Sequence, residues 1–191
     1  MIQPLLNIER PILMSAQMVL KILSGEKTQT RRIMKPQPTN ENGYWTWGKQ
    51  GIFVAHDVIP VEKVQAPMLS NKCPYGRPGD YLWLRETWCE GLSDTHECWG
   101  YRADMKYQCG KPIPEPQKWK SSIFMPRKYS RITLEITDIK IERVESCSNE
   151  DAISEGFKNQ TEFLKYFYKL NSKYLGLSPW CWCISFRKNE G

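Results

Sequence analysis

The sequence predicts an α+β fold of barrel-like build, and three observations predict it. The segment RITLEITDIKIERV alternates Ile132, Leu134 and Ile136 against Thr133, Glu135 and Thr137, the period of a half-buried strand. Short stretches with helical spacing carry capping residues at their ends. The order of helix, several strands, two helices and a last strand lacks the regular strand-helix alternation of a parallel sheet. At 191 residues and 40% apolar, the chain has the size of one core, so residues 1–191 are expected to form a single domain.

The elements follow in order. AQMVLKILSG places Met18, Val19, Ile22 and Leu23 at helical spacing, with Ser15 as N-cap and Gly25 just past the end. KTQTRRIMKPQP, β-branched and basic and stopped by Pro36 and Pro38, reads as an extended segment. From Thr39 to Gly51 the composition turns to Asn, Gly and Trp, a loop or weak hairpin, and IFVAHDVIPVEKV reads as a strand pair. The Pro/Gly turn before Asp80 starts a strand at YLWLRETW. The polar, Gly/Pro-punctuated stretch at about 89–120 reads as a long insertion with short elements, and such insertions are usually functional or mobile. Ser148 and Asp151 outline a capping box for DAISEG, which Gly156 ends. Thr161 is the expected cap of EFLKYFYKLNSKY, whose Phe163, Leu164, Phe167 and Leu170 share a face. WCWCISF closes the chain as a strand.

Composition narrows the function classes. The opening residues have no signal-peptide pattern, and no run reaches the roughly 18 apolar residues of a membrane helix, so a cytoplasmic protein with no membrane partner is expected. The 7 cysteines lack C-x-x-C spacing and read as reduced thiols. Cys181 and Cys183 alternate to one face of a strand and read as core. His56 and His96 are isolated, and neither metal nor cofactor is expected. A net charge of +6 with 8 Trp and 9 Tyr suits a polyanion whose bases stack on aromatic rings, although core packing accounts for most such rings.

The chemistry concentrates in GEKTQTRR, which gathers Lys27, Thr28, Thr30, Arg31 and Arg32 just after a helix end. On an extended backbone Thr28, Thr30 and Arg32 share a face, and the stem of Lys27 can curl to the same cleft. Such a cluster binds an anion or a polar ring, or is simply solvated. In RETW, Arg85, Glu86 and Trp88 emerge where a strand meets the cleft, either lining it or forming an ordinary ion pair on its wall. Arg127 and Lys128 add charge for phosphates.

The runs RPILMSAQMVLKILSGEKTQTRRIMKPQP, PYGRPGDYLWLRETW, SSIFMPRKYSRITLEITDIKIERVESCSNEDAISEGF and SPWCWCISFRK closely resemble prophage-associated ASCH-domain proteins of the PUA-like superfamily, in the same order along nearly the whole chain. The resemblance implies a small mixed β-barrel with flanking helices and a cleft for RNA or a nucleobase. The family's G-x-K signature falls on Gly25 and Lys27. A relative that resembles the chain only locally, the bacterial acetylcytidine amidohydrolase, implies catalytic roles for Lys27, Thr30 and Glu155. Lys27, its pKa lowered by desolvation and neighbouring cations, would take the Thr30 proton, Thr30 would attack the amide carbonyl, and Glu155 would serve the leaving amine. Glu155 could equally be a surface residue at the end of a short helix.

Two readings follow. In the first the chain binds RNA or a modified nucleoside, with Arg31, Arg32, Arg85, Glu86, Trp88, Arg127 and Lys128 as contacts and a marked salt dependence from the released counterions. In the second it is an amidohydrolase, and replacing Lys27 or Thr30 abolishes turnover with little effect on melting temperature.

Overall fold

The structure, a computed structural model, describes residues 7–41, 44–47, 54–55, 73–92, 97–114 and 118–189. Its main sheet has the order β1 (Glu9–Leu13), β6 (Tyr81–Arg85), β10 (Thr133–Arg143), β11 (Trp180–Lys188) and β2 (Gln29–Ile33). The pair β1 and β6 is parallel and the other pairs are antiparallel. Sequence reading overlooked β1, whose five residues include Pro11 and show no alternation that marks a strand. Its place at the sheet's edge explains why the missing N–H is tolerated there.

The β10 strand buries Leu134 and Ile136 as its alternation predicts, and a register shift between Ile136 and Asp138 then brings Ile139 to the interior. β11 is buried along both faces from Trp180 to Ile184, so Cys181 and Cys183 are core residues. Helix α1 (Ala16–Leu23) buries Met18, Val19 and Ile22 and leaves Leu23 37% exposed. Helix α2 (Asn149–Ser154) begins at the Ser148–Asp151 capping box, with both reciprocal hydrogen bonds made. Helix α3 (Gln160–Leu170) is capped by Asn159, whose side chain accepts from the Glu162 N–H, and not by Thr161. It buries Phe163 and Phe167 and leaves Leu170 65% exposed. Each of these buried side chains stabilises the core by about 1.5–3 kcal/mol.

Two smaller sheets complete the described architecture. β3 (Thr39–Glu41), β4 (Tyr44–Thr46) and β5 (Val54–Ala55) form one, so the segment after Pro38 is a hairpin and not a loop. The rest of the strand pair expected at IFVAHDVIPVEKV, and both histidines, lie outside the described residues. β7 (Trp88–Leu92), β8 (Glu97–Tyr101) and β9 (Lys106–Tyr107) form the other, within the expected insertion. Trp88, Tyr101, Met125 and Tyr129 make a second small core against it.

The closed barrel expected from the sequence is not formed among the described residues: the five-stranded sheet keeps two edges, β1 and β2. A side chain spans them where a backbone ladder would have closed the sheet. Arg32 on β2 donates through Nη2 to the Leu13 carbonyl at the end of β1, 2.8 Å away.

Candidate functional site

A cavity of about 290 Å³ lies where the two edges face each other. Residues 13–15 at the end of β1 and residues 30–33 of β2 line it from the two edges, and α3 covers it. Lys27, Thr30, Arg31, Arg32 and Glu155 all contribute to its wall. The structure therefore brings together residues separated by more than a hundred positions.

The chain after α1 is stitched down. The Lys27 N–H donates to the Lys21 carbonyl at 3.0 Å and the Thr28 N–H to the Ser154 carbonyl at 2.8 Å, tying the entry of β2 to the end of α2. Lys27 is only 3% exposed. Its ammonium donates to the Gln29 carbonyl at 2.6 Å, the Glu155 carbonyl at 2.9 Å and Glu155 Oε2 at 2.7 Å, which uses all three of its hydrogens. Burial pushes the Lys27 pKa below its ordinary value, more than the attraction of Glu155 restores.

Glu155, 3% exposed, is the C-cap of α2 and not a surface residue. It is aimed inward by the turn at Gly156, whose φ of +88° favours glycine. A Cβ there would sit 2.8 Å from Lys21 Cδ, so the lysine side chain would have to shift. The Lys21 ammonium donates to the Gly156 carbonyl and holds the turn. The second carboxylate oxygen of Glu155 accepts from Arg31 Nη1 at 3.4 Å.

Alternation on β2 separates the remaining groups. Arg31 and Gln29 share a face, with Arg31 Nη1 on Gln29 Oε1 at 2.7 Å. Arg31 Nη2 reaches Glu142 Oε2 and Asp151 Oδ2, each at 2.9 Å. Thr30 and Arg32 share the other face, as the sequence predicts, and Thr30 Oγ1 accepts from Arg32 Nη1 at 2.7 Å. Among the described residues no carboxylate pairs with Arg32. A direct hydrogen bond from Thr30 to Lys27, expected for a base and its nucleophile, is not made in this state: Thr30 faces Arg32, and Lys27 is held by Glu155.

The other wall is aromatic. Phe157 follows the α2 turn, and Tyr166 and Phe167 project from α3. Tyr166 Oη lies 3.1 Å from Ser15 Oγ, which joins α3 to the start of α1. The sequence shows Phe163, Leu164, Phe167 and Leu170 sharing one face of this helix. Its aromatic spacing was legible, but nothing in it says that a cavity separates the rings from β2.

The other expected contacts lie apart from this cavity. Glu86 is 1% exposed and takes a two-pronged bond from Arg131, Nε to Oε1 at 2.9 Å and Nη2 to Oε2 at 3.0 Å. Arg131 also binds Asp104 Oδ2 at 2.6 Å and stacks over the Tyr101 ring. Trp88 is 3% exposed with its ring packed on Tyr129, so it presents no face for a base. Arg85 stacks on Trp83 at 4.7 Å, Arg127 is forked onto Glu9, and Lys128 lies over Tyr129. None of Arg85, Glu86, Trp88, Arg127 and Lys128 lines the cavity.

Among the described residues no group of three or more His, Cys, Asp or Glu side chains is placed to hold a metal ion, and no helix is long and apolar enough to cross a membrane. No family model and no curated protein matches the chain. Among solved structures it is similar to protein EF3133 from Enterococcus faecalis V583, of the family model DUF984, at 13% identity over 97% of this chain and 82% of that one, with a TM-score of 0.40. A likeness that shallow bears on neither the site nor its chemistry.

Proposed function

We propose that the chain is an ASCH-like protein of the PUA-like superfamily whose cavity receives a single nucleobase, presented by a modified nucleoside or by RNA. One observation carries this reading: the cavity sets a polar edge of Thr30, Arg32 and the Lys27–Glu155 pair opposite a wall formed by Phe157, Tyr166 and Phe167. A planar heterocycle needs both, a ring to lie against and donors and acceptors for its edge. The volume of about 290 Å³ suits one base and excludes a longer stretch of polynucleotide. Thr30 Oγ1 already accepts from Arg32, so its own hydrogen is left to donate to a ligand.

The arrangement of Thr30, Lys27 and Glu155 around that cavity favours a second reading, hydrolysis of an acyl group on the exocyclic nitrogen of cytosine. The Arg32 guanidinium beside Thr30 Oγ1 would stabilise an alkoxide there. On ligand entry Lys27 would pass one proton to the Glu155 carboxylate, the resulting neutral amine would take the hydroxyl proton as Thr30 attacks the carbonyl, and Glu155 would give its proton to the departing amine. Water would then cleave the acyl-threonine ester, giving a carboxylic acid and restoring Thr30.

Calorimetric titration of the full chain with cytidine, acetylcytidine and a short RNA, with acid release followed in the same samples, separates the readings. Saturable binding without product supports the first, and cytidine formation that is lost in Thr30→Val supports the second. Neither binding nor turnover with any of the three would overturn both.

A further inference from the structure

We propose that Cys98 and Cys109 form a reversible, peroxide-responsive dithiol that staples β8 to the turn following β9. Their sulfurs lie 3.8 Å apart, on strand β8 and on the turn 107–111, and both cysteines are free thiols. The Gln108 N–H to Trp99 carbonyl bond sets the two cysteines across from each other on neighbouring segments, and their sulfurs have less than 2 Å to travel to the roughly 2.05 Å of a disulfide. The two sulfurs differ in the way an attacking and a resolving thiol differ: Cys109 is exposed and Cys98 is 9% exposed. The backbone N–H of Lys111 holds the Cys109 thiol below its usual range, and burial pushes the Cys98 thiol up. An exposed, acidic thiol beside a protected one is the arrangement that oxidises site-selectively.

The neighbourhood keeps the pair in place. The turn is anchored by Gln108 N–H to the Trp99 carbonyl at 2.8 Å and by Tyr107 N–H to the Lys111 carbonyl at 2.9 Å. The Tyr107 ring lies against Gly91, where any Cβ would collide with it, and at Gly100 a Cβ would collide with Ile113 Cδ1. The other five cysteines are buried, which leaves Cys109 as the thiol that solvent reaches.

The oxidant is a peroxide. The Cys109 thiolate attacks a peroxide oxygen, the O–O bond breaks, and sulfenic acid and hydroxide form. The Cys98 thiol then attacks that sulfur, the S–O bond breaks, and the oxygen leaves as water. Two thiols give up two electrons, hydrogen peroxide becomes two waters, and a dithiol reductant reverses the change.

The test treats the full chain with stoichiometric hydrogen peroxide, counts thiols after denaturation and maps tryptic peptides without reduction. The expected result is the loss of two thiols, a cross-link between peptides 86–102 and 107–118, and its disappearance in Cys98→Ser and in Cys109→Ser. The cross-link persists in Cys89→Ser, which separates Cys98 from the other cysteine of its peptide, and dithiothreitol restores all thiols. Over-oxidation of Cys109 with Cys98 still free, or a cross-link that Cys89→Ser abolishes, would overturn the proposal.

Discussion

Two regions of this molecule bury a glutamate against a basic side chain, and one of them lines the cavity between the sheet edges. At the cavity, Glu155 divides its oxygens between Lys27 and Arg31 beneath an aromatic wall. In the second small core, Glu86 gives both oxygens to Arg131, and Tyr101 lies over that guanidinium. Both glutamates are buried, but the Lys27 side chain is 2% exposed and the Arg131 side chain 21%. What separates the pairs further is that Thr30 and Arg32 extend the first pair toward open space, whereas Asp104 and an aromatic ring close the second. A buried ion pair is therefore no sign of a site until it is joined to a cavity.

The contrast is broken most severely at its closed end. Glu86→Ala leaves Arg131, which is partly exposed, with Asp104 alone and should cost about 3 kcal/mol, read from urea unfolding, with nucleoside affinity unchanged. A loss of affinity equal to the loss of stability would join the two regions. Lys27→Ala should cost nearly as much, about 3 kcal/mol, because Glu155 stays buried with only a long contact to Arg31. This prediction departs from the expectation of an unchanged melting temperature, since Lys27 is buried as well as a cavity residue. Unlike Glu86→Ala, it should also weaken nucleoside binding more than tenfold by calorimetry.

Smaller changes sharpen the comparison. Thr30→Val keeps the shape and should cost about 1 kcal/mol of ligand binding, roughly fivefold, with the urea midpoint almost unmoved. Acid should act on the cavity region through Asp151. Burial tends to raise its pKa, but the charge of Arg31 and the hydrogen bonds it receives hold it below the ordinary 3.8. A carboxylate depressed in the folded state contributes stability that is fully present above its unfolded pKa and is lost as pH falls through the folded value. Urea midpoints should therefore drop below pH 3.8 in the natural chain and drop less in Asp151→Asn. The smallest effect concerns salt. Arg31 and Arg127 already hold carboxylates, so nucleoside affinity should be nearly flat between low and high salt. A steep slope with RNA but not with nucleoside would bring Lys128 and its neighbours back as phosphate contacts.

Local rules made much of the scaffold legible. The alternation of Ile132 to Ile136, the Ser148–Asp151 box and the shared face of Thr30 and Arg32 each depend on neighbours within four residues, where backbone geometry dictates the outcome. The same reach explains two misplacements. Asn159 and Thr161 both satisfy the capping pattern, and which one wins depends on how α3 meets α2. Leu170 continues the apolar face of α3, yet it stands 65% exposed beside the cavity because packing ends before the helix does.

The sequence by itself determined β2, β6, β10 and β11, the bounds of α1, the start of α2 and the cluster Lys27, Thr30, Arg31 and Arg32. Tertiary structure alone decided that Glu155 is the Lys27 partner, that Glu142 and Asp151 neutralise Arg31, and that Glu86 and Trp88 are closed off. Those pairings join positions up to 128 residues apart. No periodicity spans such a distance. Only the approach of β1, β2, α2 and α3 fixes which charges meet and which stay open, because the cost of leaving a buried charge unpaired is settled where elements pack and not along the chain.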